Sequence, residues 1–264
     1  MERSRVAFLL VALGAAGIAA GAIAYMMSRS SGVAGATRSV PGAVWVGVAL
    51  AAAALGALLV HKAFVRRVDA VAGALSSRAS AAAGFGLSYE PKGTAALRRS
   101  FSDVPGIPDS GKARHIMRGT IAGREAVVFE HTYMIYNGST VTPVAHVIYA
   151  TVAPSWPETF ISPRSLLSRA ALRFGWDAGL TLENADFNRL FRVKTFSEDF
   201  ALTLLSPDMQ QFMVDKPGVS WHFRPGRLCL VYRGTLNVNR LGASLDRVRS
   251  FWALVPEELG DWAT

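Results

Sequence analysis

Two long uncharged runs at the N-terminus constrain this chain more than any other feature: residues 6–27 and 43–60 contain no Asp, Glu, Lys or Arg. As helices rising about 1.5 Å per residue, each run matches a hydrocarbon core roughly 30 Å thick. The expected organisation is a transmembrane hairpin over 1–60, a juxtamembrane helix and linker over 61–112, and a soluble domain over 113–264. That last segment is one domain's worth of chain, enough to bury a core without metals or disulfides.

Lys and Arg beside membrane spans favour the cytoplasmic side. Arg3 and Arg5 precede the first run and Lys62, Arg66 and Arg67 follow the second, whereas the intervening loop carries only Arg29 and Arg38. Both termini, and with them the soluble domain, are expected in the cytoplasm. The competing reading makes the first run a cleaved signal peptide with Ala22-Ile-Ala24 as its small-residue site. Its apolar stretch exceeds the usual h-region of about 7–15 residues. Gly14, Gly17 and Gly21 in the first run, and Gly47 and Gly56 in the second, permit close helix approach. They serve either packing of the hairpin on itself or a homodimer through Gly17 and Gly21.

The net charge of +9 suggests nucleic acid only until it is divided along the chain. Residues 1–59 hold four basic side chains against one acid, 60–118 hold ten against four, and 119–264 hold fourteen of each. A nucleic-acid module carries its basic footprint on the folded domain. Here the excess sits in and beside the membrane runs, so the expected partners are the bilayer and a protein, not nucleic acid. The single cysteine, Cys229, lies in an apolar strand-like run and reads as a small buried hydrophobe.

From 61 to 83 a helix is expected, with Phe64, Val68, Val71 and Leu75 on one stripe. It either lies on anionic headgroups or packs on the domain as a stalk. Turn formers crowd 84–112. Gly106-Ile-Pro-Asp-Ser-Gly111-Lys112 fits most of a phosphate-binding loop, but Ala113 stands where Ser or Thr holds magnesium, and a strand follows where a helix should open. It is a chance match.

Three strands are expected at 113–120, 124–136 and 141–152, joined by short turns into an antiparallel meander. Alternation puts Val127, Phe129, His131, Tyr133 and Ile135 on one face of the second, opposite Val144, His146, Ile148 and Val152 of the third. Ser162-Pro163 reads as the start of a helix to 174, Ser197 and Ser206-Pro207 as the starts of helices to 205 and 215. Residues 180–182 and 190–194 read as extended, 219–224 and 227–233 as a hairpin around Pro225-Gly226, and 241–254 as a helix burying Leu245, Val248, Trp252 and Val255. The fold class is α+β.

The stretch Leu182-Glu-Asn-Ala-Asp-Phe-Asn-Arg-Leu-Phe-Arg-Val193, followed by Ser206-Pro-Asp-Met209, resembles a bacterial, actinobacterial-type family of membrane-anchored proteins of unknown function. That family's pattern is Glu-Ser-x-x-Phe-Asn-x-x-Phe-x-Val, with Asn184 here in the Ser position. The resemblance implies a fold and an address and supplies no activity. Phe187, Phe191 and Val193 read as core anchors, with Asp186 and Asn188 satisfying backbone groups in the turn.

The nearest approach to a reactive constellation is His131 with His146. If the connection is 137–140, Tyr136 pairs Val141 and the two histidines face each other; a two-residue loop leaves them diagonal. A zinc site draws about three or four protein ligands. His115 falls on the opposite face and no acid completes a set, so hydrogen-bonded histidines are the expected state. No Gly-x-Ser-x-Gly elbow is present. No catalytic, metal or cofactor residue is assigned. The sequence therefore points to a membrane protein presenting a cytoplasmic binding or scaffold domain, with a membrane-tethered hydrolase or metal-dependent enzyme on the His131/His146 face as the alternative.

Overall fold

The computed structural model describes residues 42–164, 179–260 and 262, with side chains from residue 51 onward in the first segment. The expected span at 6–27, the Gly17/Gly21 contact and the expected helix over 165–174 lie outside the described residues. Among the described residues no helix is long and apolar enough to cross a membrane. The first element, α1 (Gly42–Gly84), is continuous through the second apolar run and the expected juxtamembrane helix. Along it Leu55, Leu58, Leu59, Val60, Phe64, Val68 and Val71 are exposed. Two compact units divide the chain at Ala74/Leu75.

In the second unit the last turns of α1 bury Ala82, and a sheet follows at once. β1 (Ser88–Lys92) lies inside the stretch expected as linker and pairs antiparallel with β2 (Lys112–Ile121). The short α2 (Ala95–Arg99), capped by Thr94, bridges them. β2 pairs β3 (Arg124–Asn137), and β3 pairs β4 (Thr140–Pro163), so the expected meander is present. β5 (Phe191–Thr195) pairs the end of β4 over 159–163, and β6 (Val219–Arg233) pairs β4 on the other side from His146 to Ile161, all antiparallel.

Two expectations are corrected. Residues 219–233 form one strand rather than a hairpin. Both halves pair with β4, and Pro225, which has no N–H to give a ladder, falls opposite Ser155 where the register shifts. Gly226, at φ 77°, absorbs the bend. Likewise β4 runs on past 152 through Pro154 and Pro157 at those irregularities, and Ser162-Pro163 is sheet, with Ser162 opposite Arg192.

The helices α3 (Ala185–Leu190), α4 (Glu198–Leu204), α5 (Pro207–Asp215) and α6 (Val238–Leu254) complete the α+β domain. Ser197 and Ser206 accept the Phe200 and Met209 N–H groups as caps, as their positions predict. α6 begins earlier than expected, capped by Asn237, and its buried stripe is Leu241, Leu245, Val248 and Phe251, with Trp252 half-buried. That stripe covers one sheet face together with Met117, Val128, Tyr149 and Leu230. The other face, with Ile116, Phe129, Ile148 and Cys229, is covered by α2 and a strap carrying Phe101, Val104 and Ile107. Burial pushes the Cys229 thiol up to about 12, which makes it inert.

Candidate functional site

His131 lies directly opposite His146, in the register with Tyr136 opposite Val141. The connection is nevertheless only Gly138-Ser139, with Asn137 and Thr140 as closing pair. Gly138 takes φ 59° while Ser139 stays out of the left-handed region, the pattern of a type II′ turn. The His146 ring stacks on Tyr133 with centroids 5.8 Å apart and planes 7° from parallel, and Tyr133 meets His131 edge-on.

Each histidine is already committed to packing. His131 is fully buried, and its Nε2 stands 2.8 Å from the Ser110 carbonyl oxygen, to which it donates. Burial, reinforced by Arg98, lowers its pKa; burial, then His131 and Arg233, push His146 down to about 4. Both rings are therefore neutral at pH 7. Arg98 donates to the Gly111 carbonyl and the Tyr133 hydroxyl to that of Gly106. The histidine face thus fastens the strap to the sheet. His115 sits at a β-bulge with φ 53° and meets the Tyr89 hydroxyl at 2.8 Å on the other face, so it does not join the pair. Among the described residues no three His, Cys, Asp or Glu side chains converge on a metal position.

Two polar clusters were missed in the sequence. The Asp103 carboxylate accepts from both Arg224 and Arg227, and the Arg227 guanidinium lies 4.6 Å from the Phe101 ring centroid. This clamps the strap to β6. Buried His222 meets Glu158 at 3.3 Å, but burial, with Arg227 adding, holds it at about 4. At pH 7 that contact is a hydrogen bond of a neutral imidazole. Neither cluster could be read from linear spacing, because the first joins the strap to β6 and the second β4 to β6, across long stretches of chain.

Beyond Tyr133 and His146, the far end of the β3–β4 hairpin is a two-stranded ribbon. β2 last pairs it at Thr132 and the β6 end at Ala145, so residues 134–144 have only each other as strand neighbours among the described residues. Met134, Tyr136 and Val141 are exposed, Tyr136 at 72%. Its sequence signal is the complete absence of Asp, Glu, Lys and Arg between Glu130 and Glu158.

No family model matches the chain, and no curated protein matches it in sequence. Among solved structures it is similar to the crystal structure of the mycobacterial trehalose monomycolate transport factor A, TtfA, at 14% identity over 69% of this chain and 95% of that one, with a TM-score of 0.45.

Proposed function

We propose that this is a two-span membrane protein whose cytoplasmic α+β domain recruits a protein partner through the projecting β3–β4 ribbon. The observation that carries it is that no described strand pairs the ribbon's edges over 134–144, combined with exposed, uncharged Met134, Tyr136 and Val141. An edge offering free N–H and C=O groups binds an extended segment by strand addition, and alternate side chains supply the selectivity. Proteins ordinarily blunt such edges with charge or proline. Here Pro143 interrupts one edge, and no charge protects either. Two apolar runs of membrane-crossing length and basic flanks on both support the anchored arrangement.

The test is a photo-crosslinking residue at position 136 in the full chain, expressed in intact cells. A discrete crosslinked protein is expected, lost when Tyr136→Asp and Val141→Asp are combined with a crosslinker moved to 134. The two positions face each other across the ribbon, so the paired aspartates cost about 1 kcal/mol at its tip, and a melt of the double variant shows that the domain stays folded. Crosslinking that survives the double substitution unchanged refutes the ribbon as the docking element.

A further inference from the structure

At the opposite side of β4 from the ribbon's partner strand β3, the end of β6 and the start of α6 enclose a cavity of about 360 Å³. On the sheet side it is lined by Tyr149 and Tyr232, whose rings meet edge-on at 5.3 Å. On the helix side it is lined by Arg240 and Ser244, with Arg233 and Thr235 from the connection. Arg240, Ser244 and Arg247 follow each other at four- and three-residue intervals, so α6 turns one polar stripe toward this side. Arg247 lies 5.6 Å over the Tyr232 ring.

The charge balance of the cavity is one-sided. Among the described residues no carboxylate lines it. Among the described residues no acid comes within ion-pair distance of Arg233, Arg240 or Arg247, whereas Arg249, further along α6, pairs with Asp246. The adjacent acid, Glu130, is buried beneath and accepts the Leu236 N–H at 2.7 Å. Tyr232 Oη is shielded from solvent and lies close to Ser244 and Arg247, without the strict geometry of a hydrogen bond to either. Guanidinium groups bind phosphate oxygens through charge-assisted hydrogen bonds, and phenol and serine hydroxyls add neutral donors. The N-terminus of the seventeen-residue α6, capped by Asn237 at the cavity wall, adds a partial positive charge.

We infer that this cavity is a binding site for a phosphate-bearing ligand, its phosphate held between Arg233 and Arg240 and its remainder against Tyr149 and Tyr232. The volume exceeds what bare phosphate fills and suits a small phosphorylated polyol. Such a group reaches the site either free in solution or as the headgroup of a phospholipid. The site shares no residue with the ribbon, so it stands or falls separately from the recruitment proposal.

The test is hydrogen–deuterium exchange of residues 232–247 in the full chain held in phosphatidylcholine nanodiscs. Glycerol 3-phosphate is titrated in one arm, and in the other a fifth of the lipid is replaced by phosphatidylinositol. Protection in either arm supports the site, the first identifying a soluble ligand and the second a headgroup. Arg240→Ala and Arg233→Ala are expected to weaken the protecting interaction about tenfold or more. Arg249→Ala, an equal change in charge outside the cavity, leaves it unchanged, and Tyr232→Phe keeps the fold while removing one donor. No protection in either arm, or equal weakening by Arg249→Ala, overturns the proposal.

Discussion

At the residue scale, the histidines contribute through being neutral. His146 and His222 titrate near 4 in the folded domain because burial excludes their charged forms. Unfolded, each returns to about 6.5. Between those values the unfolded chain binds the extra protons, so stability is fully present above about pH 6.5 and declines as pH falls toward 4. The loss is about 2–3 kcal/mol per histidine at the acid end, an order of magnitude set by the shift. Thermal melts of the full chain in detergent, followed by tryptophan fluorescence from pH 7.5 to 4.5, check it; combined His146→Gln and His222→Gln flatten the slope. Gly111 is a second local test. It adopts φ 106°, and a Cβ there would stand 2.3 Å from the Thr132 carbonyl oxygen and 2.8 Å from His131 Nε2. Gly111→Ala is expected to lower stability by about 2 kcal/mol or more, because neither the backbone nor the strap can yield cheaply. The facing of His131 and His146 was legible from strand alternation. The contact that fixes their role, Nε2 to Ser110, was not, because it depends on a strap folding back across the sheet.

At the element scale, local chemistry was legible and tertiary continuation was not. Ser197 and Ser206 cap their helices where the sequence places them, since a cap needs only neighbours along the chain. Phe187, Phe191 and Val193 are buried as expected. Asn188 does satisfy backbone groups: its side chain accepts from the Leu182 N–H and donates to the Leu182 carbonyl. Asp186 instead pairs with Arg189 on the surface, and Asn184, in the position of the pattern's Ser, is the cap of α3. By contrast β4 and β6 each pass through prolines that read as strand ends in isolation. What keeps them going is the partner strand, whose pairing resumes beyond each irregularity, and burial of Trp156 between them in chain order. Asn188→Ala is expected to cost about 1–3 kcal/mol, because it strands a buried N–H and C=O together. Asn188→Asp keeps the acceptor and loses the donor, and should fall between the two in the same melts.

At the scale of the whole molecule, the distribution of charge and apolarity is what the proposed anchored arrangement rests on. The basic excess lies before residue 119, the remaining chain is balanced, and the exposed side chains of α1 between 55 and 71 are mostly Leu, Val, Ala and Phe. A helix presenting that surface to water would forgo roughly 25 cal/mol for every Å² of apolar area it leaves exposed. In the proposed arrangement a bilayer around the runs at 6–27 and 43–60 would remove that cost, with the more basic flanks, Arg3, Arg5, Lys62, Arg66 and Arg67, on the cytoplasmic side. The expected outcome is that the full chain resists carbonate extraction from membranes and that cysteine introduced at Ser31 reacts with a membrane-impermeant maleimide in intact cells. Cysteine introduced at Ser139, at the ribbon tip, should react only after the membrane is opened; Cys229 is buried and does not compete. Labelling at 139 in intact cells reverses the topology and moves the ribbon's partner to the other compartment. Release of the chain by carbonate removes the anchored arrangement altogether, while leaving the ribbon and the arginine-lined cavity to be judged by their own tests.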